Sequence, residues 1–140
     1  MKKFNKVVSA CLASVLAVTT LVGCGGAADS ASSGSGTFKI GAIGPLTGAA
    51  AAYGNAVVNG AQIAVDEINA AGGINGVQIE YKSEDDELNA EKSVNAYNTL
   101  KDWGMQILVG STTSACSIAV SENTKNDNMF QLTHSGSAED

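Results

Sequence analysis

The sequence predicts an α/β fold, a parallel sheet with flanking helices, and three observations carry that prediction. Short apolar segments alternate with longer segments of helical period, in the order βαβαβαβ over residues 38–132. Glycine and proline punctuate the pattern, at Gly44-Pro45, Gly72-Gly73 and Gly104. The segment Gln106-Ile107-Leu108-Val109 suits a strand buried on both sides, as parallel sheets require. Strands joined through helices in one sheet take right-handed crossovers.

The first strand is expected at Phe38–Ile43, where apolar and other residues alternate until Gly44-Pro45 stops the run. A helix follows from about Tyr53 to Ala71, with Val57, Val58, Ala61, Ala64, Val65 and Ile68 at helical spacing and Gly72-Gly73 at its end. Val77–Tyr81 reads as the second strand and Glu84–Asn89 as a polar loop. The second helix runs from about Ala90 to Trp103, capped by Asn89, with Val94, Tyr97, Leu100 and Trp103 along one apolar face. Strand Gln106–Val109, a third helix over Ser114–Asn126 and strand Met129–Leu132 complete the series.

Ahead of this module, residues 1–23 look like a lipoprotein signal peptide. Lys2, Lys3 and Lys6 form a basic region, Val7–Val22 an apolar core too short for a spanning helix, and Leu21-Val22-Gly23-Cys24 closes it. Cys24 is then the lipidation site, and acyl chains burying about 0.8 kcal/mol per methylene would anchor the chain to the membrane lipid. Residues 24–37 read as the lipidated cysteine and a Gly/Ser/Ala tether with a reach of roughly 20 Å. The expected location is extracytoplasmic, at the cell membrane.

Without the signal, five lysines face fourteen acids, a net charge of about −9, and the chain has no arginine. Nucleic acid is therefore excluded as a partner, since it needs several phosphate-neutralising cations. Cys116 is the only cysteine of the exported part once Cys24 is acylated, so neither an internal disulfide nor a cysteine zinc site is expected. Cys116 itself reads as a small buried hydrophobe.

In an open parallel sheet, ligands sit beyond the carboxyl ends of the strands, which directs attention to residues 44–54, 84–89, 110–114 and 133–137. The glycine spacing there does not fit a dinucleotide fingerprint, and no Gly-Lys-Ser or Gly-Lys-Thr cradles a phosphate, so no cofactor is expected. Glu84, Asp85, Asp86 and Glu87 are wrongly spaced for a calcium loop and read as a solvated acidic loop, with no metal site. His134 has no evident orienting acid with which to serve a catalytic serine. What remains is a hydroxyl cluster, Ser111, Thr112, Thr113 and Ser114 before the third helix and Thr133, Ser135 and Ser137 after the fourth strand. Such a cluster at a helix N-terminus suits a small carboxylate, and it equally suits plain N-capping.

The segments Lys39-Ile40-Gly41-Ala42-Ile43-Gly44-Pro45-Leu46-Thr47-Gly48, Tyr53-Gly54, Gly60-Ala61, Ile68–Gly76 and Gly110-Ser111-Thr112-Thr113-Ser114 stand in one order along the chain. Together they resemble the leucine/isoleucine/valine-binding family, extracytoplasmic solute-binding proteins of ABC importers. The resemblance runs from about Phe38 onward. It implies that residues 38–140 are the N-terminal part of the first lobe of a two-lobed type I periplasmic-binding-protein fold, which captures an amino acid and hands it to a membrane permease without catalysis.

Carried over by position, the resemblance makes Ser114 the carboxylate-binding serine, Ser137 a second carboxylate and ammonium contact, Ser135 a carbonyl acceptor for the ammonium, and Tyr53 a wall of the cleft. The second loop departs from the family, reading Thr133-His134-Ser135-Gly136-Ser137 where a Pro-Ala-Ala-Thr-like run is common. Leu88 and Thr113 stand near the positions where some members close a disulfide. The sequence stops at Asp140, so the second lobe that the resemblance implies is lacking; the expectation is a fragment or truncated reading frame that binds weakly alone. Two other readings stay open: a receptor or sensor for an amide, urea or another amino acid, and an exported serine hydrolase using Ser114 or Ser137.

Overall fold

The computed structural model describes residues 36–138, so the signal peptide, most of the tether and Cys24 lie outside the described residues. Seven elements follow in the predicted order: β1 Phe38–Gly44, α1 Ala51–Ala70, β2 Ile79–Asp85, α2 Ala90–Asp102, β3 Ile107–Val109, α3 Ser114–Asn126 and β4 Phe130–Leu132. The strands form one parallel sheet in the order β2-β1-β3-β4. The chain thus steps from β1 to one side, then crosses over to the other.

Successive strand residues point to opposite faces, and β1 shows both faces covered. A Cβ on Gly41 would meet Leu100 and Met105 on the α2 side, whereas one on Gly44 would lie 3.4 Å from the Gly54 Cα of α1. Ala42 and Ile43, adjacent in sequence, are both fully buried. The larger core lies on the α2 side, where Ile43, Ala96, Tyr97, Leu100, Met105, Leu108 and Val120 cluster with Trp103 and Met129 at its margin. Among the described residues no helix is long and apolar enough to cross a membrane.

Three expectations need correction. Helix α1 starts at Ala51, and its buried positions are Gly54, Val58 and Val65, while Ala64 is exposed and Ile68 is 37% exposed. Strand β2 starts later and ends later than Val77–Tyr81. Val77 instead pairs with Ile74 across the Asn75-Gly76 turn, both turn residues at positive φ, while pairing with β1 carries the strand on to Asp85 opposite Gly44. Trp103 ends α2 rather than entering the core. It is half-buried, with the Lys39 Nζ 4.9 Å from its ring centroid and donating to its carbonyl at 3.0 Å.

Asn89 caps α2 as expected, its Oδ1 accepting from the Lys92 N–H at 3.0 Å, a contact that contributes about 1 kcal/mol. The far end of α2 is latched to the end of α3. The fully buried Tyr97 donates its hydroxyl to Asp127 Oδ2 at 2.8 Å, and Lys101 Nζ lies 2.6 Å from Asp127 Oδ1. Burial, and then the bond to Asp127, pushes the Tyr97 phenol up, while Lys101 and then Tyr97 hold the Asp127 carboxyl below its usual 3.8. A carboxyl depressed by folding stabilises the fold above its unfolded pKa, and that contribution fades as pH falls through the folded value. The stability gap between wild type and Asp127→Asn should therefore shrink on acidification below 3.8 in urea titrations. A gap constant with pH would refute the latch as a charged interaction.

Candidate functional site

Because β1 connects to β2 on one side and the next crossover places β3 on the other, the carboxyl ends of β1 and β3 flank a crevice where the strand order reverses. A cavity of about 380 Å³ opens there, lined by Tyr53, Thr112, Thr113, Ser114 and Ser135. None of these lining residues is charged. Three of the four nominated ligand residues thus share one cavity. The fourth, Ser137, lies outside its lining, but its N–H donates to Ser114 Oγ at 3.0 Å, and the Ala138 N–H donates to the same oxygen at 3.3 Å. Ser135 Oγ donates to the Thr112 carbonyl at 2.5 Å, and Tyr53 stands at the rim, 73% exposed.

Local sequence explains why the helix and loops meet here. Gly110 leaves β3 at φ 128°, and a Cβ there would fall 2.4 Å from the Ile43 carbonyl oxygen, so only glycine allows the β3–α3 loop to lie against β1. Gly54 does the same for α1, since a Cβ on it would lie 2.0 Å from the Pro45 carbonyl oxygen. The loop then delivers Thr113 in extended conformation as the residue before α3.

The first turn of α3 is open. Thr113 makes no side-chain cap bond, and the N–H groups of Ser114, Ala115 and Cys116 have no partner among the described residues; the first satisfied donor is the Ser117 N–H, 2.9 Å from the Thr113 carbonyl. Plain N-capping by Thr113 is therefore not what the hydroxyl cluster does. The buried Thr112 Oγ1 and Thr113 Oγ1 are also without partners. Three free donors at the positive end of a 13-residue helix can replace the water around a carboxylate without any cationic side chain.

The acidic run Glu84–Glu87, whose first two residues end β2, is not the solvated loop expected. Glu84 and Glu87 do pair with surface lysines, Lys82 at 2.9 Å and Lys92 at 2.5 Å. Asp85, however, accepts from the Leu46 and Glu87 N–H groups, each at 2.8 Å, and from Thr47 Oγ1 at 2.6 Å. Desolvation pushes its carboxyl up, but the Thr47 hydroxyl and the backbone donors outweigh it and leave the pKa lowered. Asp86 is fully buried, accepting from the Leu88 N–H at 2.9 Å and from Ser111 Oγ. The physical reason is that the turn N–H groups of Glu87 and Leu88 bond to side chains rather than to backbone, and an aspartate two residues before each supplies the acceptor. That spacing was present in the sequence, hidden within a run of like charges.

Cys116 is buried, as expected. Among the described residues no hydrogen bond joins His134 to Ser114 or Ser137, and no group of three His, Cys, Asp or Glu side chains could hold a metal ion. Burial lowers the His134 pKa.

Comparison with known proteins bears on this geometry. The periplasmic binding protein family profile matches residues 37–140. The chain is 42% identical over 103 residues to Leu/Ile/Val-binding protein BraC3 of Rhizobium johnstonii, covering 74% of this chain and 28% of that protein. It is 32% identical over 102 residues to the leucine-, isoleucine-, valine-, threonine- and alanine-binding protein of Pseudomonas aeruginosa, covering 73% of this chain and 27% of that protein. The branched-chain amino acid transporter substrate binding protein LivJ of Streptococcus pneumoniae, solved in complex with isoleucine, matches with a TM-score of 0.71 and 35% identity over 74% of this chain and 30% of that one. The chain thus spans less than a third of the length of these relatives. The profile match takes in every strand and helix of the sheet, and on that ground the chain belongs to the periplasmic binding protein family.

Proposed function

We propose that this chain forms part of the ligand-binding lobe of an extracytoplasmic receptor that captures an amino acid, a branched-chain one, and delivers it to an ABC permease without chemistry. The observation that carries the reading is the open first turn of α3 facing an uncharged cavity. In this reading the ligand carboxylate takes the Ser114 hydroxyl and the free N–H groups at Ser114, Ala115 and Cys116. Ser135 and Ser137 on the neighbouring loop complete the polar side, and Tyr53 covers the side chain. The names of the relatives in Rhizobium johnstonii and Pseudomonas aeruginosa and the isoleucine complex of the Streptococcus pneumoniae protein support a branched aliphatic ligand. The lipid anchor at Cys24 and the tether over residues 24–37 belong to the same proposal, supported by the signal sequence alone.

Heteronuclear NMR titration of the purified chain with isoleucine, leucine, valine, urea and an aliphatic amide tests it, because shift changes report even weak binding. Saturable changes centred on the Ser114, Ala115 and Cys116 amides are expected with the branched-chain amino acids. Ser114→Ala should weaken binding about tenfold or more, the usual cost of a hydrogen bond to a charged group. Saturation by urea or the amide, with none by any aliphatic amino acid, would sink the amino-acid reading. Labelling by a serine-directed phosphonate, abolished in Ser114→Ala, would favour a hydrolase instead.

A further inference from the structure

We infer that Asp86 is a positioning residue of the ligand site: its buried carboxyl fixes the β3–α3 loop, through Ser111, in the conformation that leaves the α3 N-terminus open. The inference rests on the reading of that terminus as a carboxylate receptor. Strands β2 and β3 are not neighbours, since β1 lies between them and the separation is roughly 10 Å. Asp86 closes that span at the end of β1. Its N–H donates to the Gly44 carbonyl at 3.1 Å, and its side chain reaches across to accept from Ser111 Oγ. Asp86 and Ser111 are both fully buried, so water does not compete for the bond.

The network continues from Ser111 into the second loop of the cavity. Ser117 Oγ donates to the Ser111 carbonyl at 2.6 Å. A hydroxyl has one hydrogen, so Ser117 must accept in its 3.3 Å contact with Thr133 Oγ1, which in turn accepts from the Gly136 N–H at 3.2 Å. In this series each donor from Gly136 through Thr133 and Ser117 points toward Ser111, and the Ser111 hydroxyl donates onward to Asp86. The loops at 110–113 and 133–138 are thereby set against one another through residues that take no part in the apolar core cluster. The other carboxyl oxygen of Asp86 serves a purely local end, holding a turn in which Glu87 and Leu88 lie at φ 48° and 60°. Positioning and local support thus use different atoms, which makes them separable.

Ser111→Ala cuts the link and leaves the Asp86–Leu88 bond in place. Amide hydrogen exchange should then rise about tenfold at Ser117, whose N–H bonds to the Thr113 carbonyl, and stay unchanged at Leu88, Asn89 and the core residue Leu108. Affinity for isoleucine in the same NMR titration, measured on the folded protein, should fall about tenfold. Asp86→Asn, which keeps the shape of the side chain, should act in the same direction. Exchange that rises equally at Leu108, or not at all at Ser117, would overturn the positioning role. A local rise at Ser117 in a protein whose wild type binds no amino acid would overturn the carboxylate reading and leave only the fixing of the loop.

Discussion

Replacing Gly110 with alanine is expected to destabilise the protein by about 3 kcal/mol. Two independent penalties act at once. The φ of 128° lies where residues with a side chain are strained, and the new methyl carbon would sit 2.4 Å from the Ile43 carbonyl oxygen and 3.1 Å from its nitrogen. Both obstacles are backbone of the central strand, so no side chain can swing away. Relief requires β1 and β3 to part, and they pair over only three residues on each strand. Gly60→Ala is the fitting control, since that position is an exposed interior residue of α1 with open space around it, and there alanine should stabilise by up to about 1 kcal/mol. Urea unfolding midpoints with an unchanged slope would measure both. A loss below about 0.5 kcal/mol at Gly110 would mean that the β3–α3 loop is not held where it is described.

Leu100→Ala should cost about 2–5 kcal/mol. Leu100 is fully buried in the α2-side cluster that also holds Tyr97, Leu108 and Val120, and a Cβ on Gly41 of β1 would lie 3.0 Å from its Cδ1. Truncation removes apolar burial and leaves a void walled by the sheet and α2, with little freedom to collapse. The ligand cavity lies at the carboxyl ends of the strands, outside this cluster, so isoleucine binding by the folded fraction should be unaffected. A variant that keeps its stability but loses binding would show that the core and the site are coupled in a way the contacts do not reveal.

The sheet was legible because its signals are local. Apolar alternation at Phe38–Ile43, helical period around Val58 and Val65, and the apolar run at Ile107–Val109 each mark an element that the structure contains. Strand β2 was misplaced because alternation fades after Tyr81. The strand persists through Lys82, Ser83, Glu84 and Asp85 on its ladder with β1, and the charges are tolerated at an edge. The Asn75-Gly76 pair was a turn signal strong enough to have moved its start. Ser114 and Ser135 stood in the hydroxyl cluster read from the residues, Tyr53 was nominated by resemblance alone, and the three line one cavity. Asp86 was missed because burial of a carboxyl depends on donors from Leu88 and Ser111, and Ser111 is 25 residues away in sequence.

The complete shielding of Cys116 turns its thiol into an internal clock. An alkylating reagent reaches that sulfur only when the α3 region opens, so at fixed pH and reagent concentration the rate of modification at Cys116 scales with the population of opened molecules. The same shielding keeps this thiol from joining two molecules through oxidation while the fold is intact. Covalent dimers through Cys116 would therefore be a record of past unfolding.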